Sequence, residues 1–243
     1  MKWNKSAALK ILKYSGLGFG LILAIMAIFP IFFKDKVNTK VKEYINSQVT
    51  SELRFNEINL TFFRHFPNLT VSLDEVFVKG ADGFVPDTLL YAKDLSFGVN
   101  LFSVFNDKIE VSGIYFNEAK INILRDIQGH ANFDIFFSET DITKSEQEPS
   151  DLSLEINNIK FSNSDFFYRD TDLDFSCLAE NFDYSGKGNL KDAIVDLSSE
   201  LNIQTFELTY ENVTYLSKKR VSASLQTKID TESTALTFER NHL

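Results

Sequence analysis

The chain has 243 residues, 44% apolar and 24% charged, with 24 Phe but only 10 Gly and 4 Pro. This composition excludes a disordered or fibrous chain and can fill one large core or two small ones. The net charge of −9 divides into +7 over residues 1–42 and −16 over the rest, which argues against nucleic acid as a partner, because a phosphate backbone needs a basic face.

Residues 1–13 carry Lys2, Lys5, Lys10 and Lys13 and no acid, and read as a cytoplasmic tail. Residues 14–33, Tyr14 to Phe33, contain no charge and are bounded by Lys13 and Lys34. As a helix they would reach about 30 Å, the thickness of a bilayer's hydrocarbon core. The run is long for a signal peptide and no small-x-small cleavage site follows it, so an uncleaved signal anchor is expected. Lysines flank the span equally, but so short a tail usually stays inside, which would export everything after residue 34. Over residues 34–52, Val37, Val41, Tyr44, Ile45 and Val49 recur at helical spacing, predicting a short amphipathic helix on the bilayer or against a sheet.

From residue 53 one spacing of apolar residues, h-x-h-x-x-h-x-h, returns five times. It reads Leu53, Phe55, Ile58, Leu60, then Val71, Leu73, Val76, Val78, and then Ile109, Val111, Ile114, Phe116. It reads again as Leu154, Ile156, Ile159, Phe161 and as Leu201, Ile203, Phe206, Leu208. Alternation with period two marks a strand with one dry face, and the extra residue (Glu57, Glu75, Gly113, Asn158, Thr205) is what a β-bulge supplies. Leu89, Tyr91, Leu95, Phe97 and Val99 alternate around Lys93, and Ile121 and Ile123 follow Phe116. Gly80-Ala81-Asp82-Gly83, Asn106-Asp107 and Asn117-Glu118 read as turns between antiparallel strands. Residues 53–137 are thus a first β segment, with a helical turn conceivable at 132–137, and 138–151 a polar linker or loop. Residues 152–243 form a second β segment.

Residues 109–123 and 154–168 superimpose at an offset of 45, with Val111 on Ile156, Ile114 on Ile159, Phe116 on Phe161, Ile121 on Phe166 and Ile123 on Tyr168. Such self-similarity points to stacked units. Strands continue through Leu173–Cys177, Ile194–Leu208, Val213–Leu216, Val221–Ile229 and Leu236–Phe238, and the uncapped end reads as a cut through a longer array.

A search for reactive groups returns little. Asp170, Asp172 and Asp174 resemble the start of a calcium loop, but Phe175 and Asn181 stand where its Gly and Glu belong, so a solvated strand face is the simpler reading. Gly186-Lys187-Gly188 reads as a hairpin turn, not a phosphate loop. His65, His130 and His242 lack partners at ligand spacing. Cys177 stands alone and reads as a packed strand residue. No enzyme, cofactor or metal is expected. The apolar face itself has two outlets. The sheet closes into a β-sandwich, which needs nothing beyond the chain, or it stays an open groove holding apolar ligand.

The order of parts resembles the N-terminal, membrane-proximal region of AsmA-like proteins. The resemblance rests on the lysine-bearing tail and span, the helix Val37–Val49, and Phe66-Pro67-Asn68-Leu69-Thr70-Val71-Ser72-Leu73-Asp74-Glu75-Val76. It continues in Ala92-Lys93-Asp94-Leu95 with Leu101-Phe102-Ser103-Val104, in Ile114 to Ile123, and in Asp126, Gly129 and Asn132-Phe133-Asp134-Ile135-Phe136. The chain is shorter than such proteins usually are. The resemblance implies a single-pass inner-membrane protein with a periplasmic, mainly β, mostly antiparallel and bulged sheet, curved into an open, taco-like groove related to bridge-like lipid-transfer proteins. It also implies a role in outer-membrane biogenesis, with phospholipid or another acyl lipid as cargo and other envelope proteins completing the path. The alternative is a structural or regulatory envelope tether with a closed sandwich. The candidate lipid-contacting residues are the five sets of four above with Leu95, Phe97, Ile121 and Ile123.

Overall fold

The computed structural model describes residues 13–18, 20, 21, 24, 28, 32, 34, 39, 51–62, 64, 65, 68–100, 103, 109–135, 152–188, 194–230 and 235–242. The described residues up to 39 are helical, yet among the described residues no helix is long and apolar enough to cross a membrane. The expected anchor therefore finds no support there; much of 14–33, nearly all of the expected helix at 34–52, and the linker at 138–151 lie outside the described residues.

The described strands from residue 53 onward build one open sheet of ten strands. These are β1 (Leu53–Arg54), β2 (Ile58–Thr61), β3 (Leu69–Lys79), β4 (Thr88–Val99) and β5 (Ile109–Arg125), then β6 (Leu152–Asp170), β7 (Phe175–Lys187), β8 (Ile194–Tyr210), β9 (Val213–Asp230) and β10 (Ala235–His242). The order is β1-β3-β4-β5-β6-β7-β8-β9-β10, with β2 beside β1 on the outer side of β3. β1 and β10 sit at opposite ends and do not pair, so the sheet is open. The closed β-sandwich is corrected: the described strands form no second sheet.

Of the five expected extra residues Glu75 lies at a crease across the strands, whereas Gly113 and Asn158 flank the register shift between β5 and β6 and Thr205 falls in one between β8 and β9. Glu75 in β3, Glu118 in β5, Asn163 in β6, Asn181 in β7 and Lys218 in β9 all have φ between 48° and 53°. L-residues rarely take this left-handed conformation. Glu75, Glu118 and Asn181 lie in the two-residue gap of an h-x-x-h step, while Asn163 and Lys218 precede Ser164 and Lys219 instead of an apolar residue, and these positions align across the sheet. Asp74 and Val76 face Asp94 and Ala92, while Asn117 faces Asp94 on the other side. Ser162 faces Asn117, and Glu180 faces Thr205. A single turn of the backbone at this step keeps the apolar residues before and after it on one face and bends β3, β5, β6, β7 and β9 at the same level. Leu53 faces Val78 and Ile58 faces Leu73 in one continuous register, so β1 and β2 are one strand broken at the crease.

Several sequence expectations need correction. Asn117-Glu118 is no turn, because β5 runs straight through it. In β4 Tyr91 leaves the dry face, opposite Phe77 and Lys120, while Leu90 and Ala92 face Val78 and Val76 on it; Leu89, the extra residue where Val78 pairs Leu90 and Lys79 pairs Thr88, is buried in the same apolar cluster. Gly186 and Lys187 belong to β7. Residues 132–135 are turns. Asp170 is buried (3% exposed) and forms no solvated face. Its Oδ1 accepts the N–H groups of Asp172 and Leu173, both at 3.1 Å, and these belong to a turn rather than to alternate strand positions.

The offset of 45 has a direct structural meaning. β5 and β6 pair in parallel, and Ile114 faces Ile159, Phe116 faces Phe161, Ile121 faces Phe166 and Ile123 faces Tyr168. The internal similarity is the register of this pair. Val111 departs from it: a register shift places it against Leu154 and not Ile156. A parallel neighbour requires the chain to return the length of the strand across one face. The first part of that return packs onto the dry face, where Ile135 (2% exposed) joins the apolar cluster of β2–β5. Asn132 fixes it there: its Oδ1 accepts the Leu124 N–H at 2.9 Å and its Nδ2 donates to the Asn122 carbonyl at 2.8 Å.

Candidate functional site: the apolar face of the sheet

Residues directly opposite across strands share a face, so the register defines rows running across the sheet. One row is Leu73, Leu95, Phe116, Phe161, Tyr184 and Leu201. The row on the other side of the crease is Val78, Leu90, Ile121, Phe166, Ala179 and Phe206. The candidate residues of separate segments thus meet on one surface.

That surface is closed at one end and open at the other. On β2–β5, Ile58, Val71, Leu73, Val76, Val78, Leu95 and Val111 are buried, with Leu53, Phe55, Leu60, Phe97, Ile114, Phe116 and Ile123 packed against them. On β6–β8, Ile156, Ile159, Phe161, Leu201, Phe206 and Leu208 are only half-buried; a smaller cluster forms round Ala179, Phe182 and Ile203. By β9 every residue from Glu211 to Arg220 is exposed, Val213 by 54% and Tyr215 by 62%. Ile109 and Leu154 lie in β5 and β6 by backbone pairing; their side chains are outside the description.

Aromatic rings carry the surface across the junction of the two clusters. Phe116 stacks on Phe161 with centroids 4.4 Å apart and planes within 1°, and Phe161 meets Phe182 at 5.5 Å and Tyr184 at 6.3 Å. Gly186, two residues on from Tyr184, leaves room for that ring: a Cβ there would lie 2.5 Å from the Tyr184 hydroxyl. The hydroxyl itself is satisfied by Ser199 Oγ at 3.0 Å, so a ring with a polar tip can lie in the floor without an unpaired oxygen.

The opposite face is polar. Lys93 Nζ lies 2.7 Å from Glu118 Oε1, and the Tyr91 hydroxyl donates to the Glu75 carboxylate, which raises the phenol's pKa. Asp183 Oδ1 accepts the N–H of Asn163 at 3.0 Å and Asp165 Oδ1 that of Asn181 at 2.9 Å. These carboxylates satisfy backbone groups that the crease turns out of the ladder. A depression lined by Lys120, Ile121, Asn122, Asp165, Phe166, Phe167, Leu178 and Glu180 has a volume of about 190 Å³, below the roughly 300–1,000 Å³ of ligand pockets. No group of side chains among the described residues has the makings of a metal site. Cys177 lies in β7 opposite Tyr168 and Leu208, and burial raises its thiol pKa, which suits packing rather than attack.

Leu90, Ala92, Ala119, Phe166, Ala179, Phe182, Tyr184 and Val221 share the face and were absent from the candidate set. The signal exists in Leu90, Ala92, Leu95, Phe97 and in Cys177, Ala179, Phe182, Tyr184, which have the same spacing. Small residues at two positions and a Cys at another hid it.

No curated protein matches the chain. The AsmA family profile matches residues 8–237, which takes in every strand from β1 to β9 and most of the sheet just described. The chain belongs to the AsmA family.

Proposed function

We propose that this protein is a non-enzymatic component of the cell envelope, anchored in the inner membrane with its sheet in the periplasm. Its open apolar face lies along the acyl chains of phospholipid in transit towards the outer membrane, and other envelope proteins complete the path. Membership of the AsmA family and an open sheet support an envelope role of this kind. The observation that carries the reading is the half-exposed apolar floor of β6–β8, continuous through the Phe116–Phe161 stack with the buried face of β2–β5. Each acyl methylene covered by such a floor gains about 0.8 kcal/mol.

A photo-crosslinking side chain tests this by face. Placed at Phe166 or Phe206 on the floor, it should capture phospholipid in intact cells. At Phe167 or Glu207, one residue away and facing the other side, it should not. Equal capture at both, or none at either, removes lipid carriage from this face.

A further inference from the structure

The large apolar side chains that the described sheet leaves exposed gather towards one end of the strands. β3, β5 and β6 all run to that end, and the turn after each holds one aliphatic residue outward: Val85 at 81% exposure, Ile127 at 64% and Leu173 at 57%. At about 4.8 Å per strand the three tips stand roughly 7 Å apart in a line. Tyr210, 40% exposed, continues the line at the end of β8. Exposed apolar residues scattered singly are ordinary, but a contiguous set marks a contact surface. The tips are also held in place. Asp126 Oδ1 accepts the N–H groups of Gln128 at 2.8 Å and His130 at 2.9 Å, Asp170 Oδ1 accepts those of Asp172 and Leu173, and Gly80 donates to the Asp87 carbonyl at 2.7 Å. Turn donors satisfied in this way can leave water without an unpaired group, and side chains on a fixed turn lose little freedom on contact.

The place where the chain joins the sheet decides the occupant. β1 begins at this same end, with Leu53 facing Val78 and the Glu52 carbonyl accepting the Lys79 N–H at 2.9 Å. Residues 34–51, 18 in all, separate that bond from the uncharged run 14–33, a reach of at most about 65 Å. With the run in a bilayer, this end of the sheet is tethered at the membrane surface, where a short tether raises the effective concentration to the millimolar range and a weak contact suffices. We propose that Val85, Ile127 and Leu173 dip into the headgroup layer of the bilayer that holds the 14–33 run, seating the sheet on that membrane by one end of its strands. The proposal rests on the anchored reading given above. Asp87 and Asp172 stand beside two of the tips without a described ion pair, and they set the headgroup. Each carboxylate brought to an anionic surface lowers occupancy by about fivefold, so the surface is one of neutral headgroups. The same charges oppose a second copy docking through the same line.

The test uses the full chain reconstituted in phosphatidylcholine vesicles, with Cys177→Ala so that one introduced cysteine at a time carries a fluorophore. A label at Val85→Cys, Ile127→Cys or Leu173→Cys should be quenched by spin-labelled phospholipid. A label at Lys187→Cys should not, since Lys187 is exposed at the far end of β7, about 40 Å along the strand. Ile127→Glu, at an exposed position, should lower the quenching at the other two tips. Vesicles rich in phosphatidylglycerol should lower it at all three, by up to about fivefold for each unpaired carboxylate. Equal quenching at Lys187, none at the three tips, or quenching that does not fall with phosphatidylglycerol would each overturn the proposal. So would tips that stay unquenched yet crosslink to another polypeptide in intact cells, which would make protein the occupant. A chain that fails to float with the vesicles removes the anchored reading and the proposal together; a floating chain with unquenched tips removes the proposal alone.

Discussion

His65 is held between a ring and two cations. Its imidazole stacks on Tyr115 with centroids 3.7 Å apart and planes 9° from parallel, and its Nδ1 lies 3.1 Å from Thr70 Oγ1. Burial lowers its pKa below 6.5, and the charge of Arg64 lowers it further, with Lys160 adding to this and Asp94 opposing. Arg64 is fixed beside it by bonds from Nη1 to Asp94 at 2.7 Å, Ser72 at 3.0 Å and Ser96 at 3.1 Å. The sign of the pH effect follows. The unfolded chain takes up a proton at this histidine near pH 6.5 and the folded chain only at lower pH, so folding stability is whole above 6.5 and falls as pH drops below it. The denaturation midpoint should decrease between pH 7.5 and 5.5, and His65→Phe, which keeps the stacked ring, should decrease less. An equal slope in the variant would place the effect elsewhere.

At the scale of the strand, the crease rests on residues that tolerate positive φ unequally. Asn is among the few non-glycine types that adopt it readily, and Asn181 (φ 50°) is exposed, with its N–H donated to Asp165. Asn181→Val should destabilise the chain by about 1–2 kcal/mol, while Asn181→Gly should be near neutral or slightly stabilising. Chemical denaturation followed by the strand circular dichroism signal measures both, and a neutral valine would mean that β7 is not bent at this point. The crease also marks how far the strands could be read from sequence. Alternation broken by two successive polar residues says that a strand is interrupted; at Glu75 the interruption is the crease, while at Gly113, Asn158 and Thr205 the same spacing does not take that conformation. The pattern carries no record of direction, so Asn117-Glu118 looked like a reversal although the chain passes through it. It carries no record of pairing either. The offset of 45 was visible as similarity, but only the register of β5 on β6 turns it into a parallel neighbour. The candidate face was legible where residues are large, as at Phe161 or Leu201, and hidden where the sheet needs small ones, as at Ala92, Ala119 and Ala179. Those alanines are 0%, 1% and 6% exposed, and a side chain of one methyl carries little signal of burial in a sequence pattern.

Across the whole molecule the sheet is unevenly covered, and local stability should follow the cover. Amide exchange should be slowest in β3 and β4, whose Val76 and Ala92 are 1% and 0% exposed, and fastest along Val213–Arg220. Uniform protection from β3 to β9 would contradict the graded burial. The parallel seam has a further consequence, for the rims. Because β5 and β6 point the same way, β3, β5, β6 and β8 all end on one side. The turns at 80–87, 126–130, 171–174 and 211–212 therefore line a single rim. Hydrogen bonds lace them together: Ala81 N–H to the Asn132 carbonyl at 2.8 Å, Thr171 N–H to Arg125 at 3.0 Å and Glu211 N–H to Asp174 at 2.9 Å. Along that rim stand Asp82, Asp87, Asp126, Asp172, Asp174 and Glu211. Had the two halves met antiparallel, these carboxylates would be divided between opposite sides. The seam gives the sheet a polarity, gathering carboxylates on one margin, where Lys79 holds Asp82 and His130 holds Asp126.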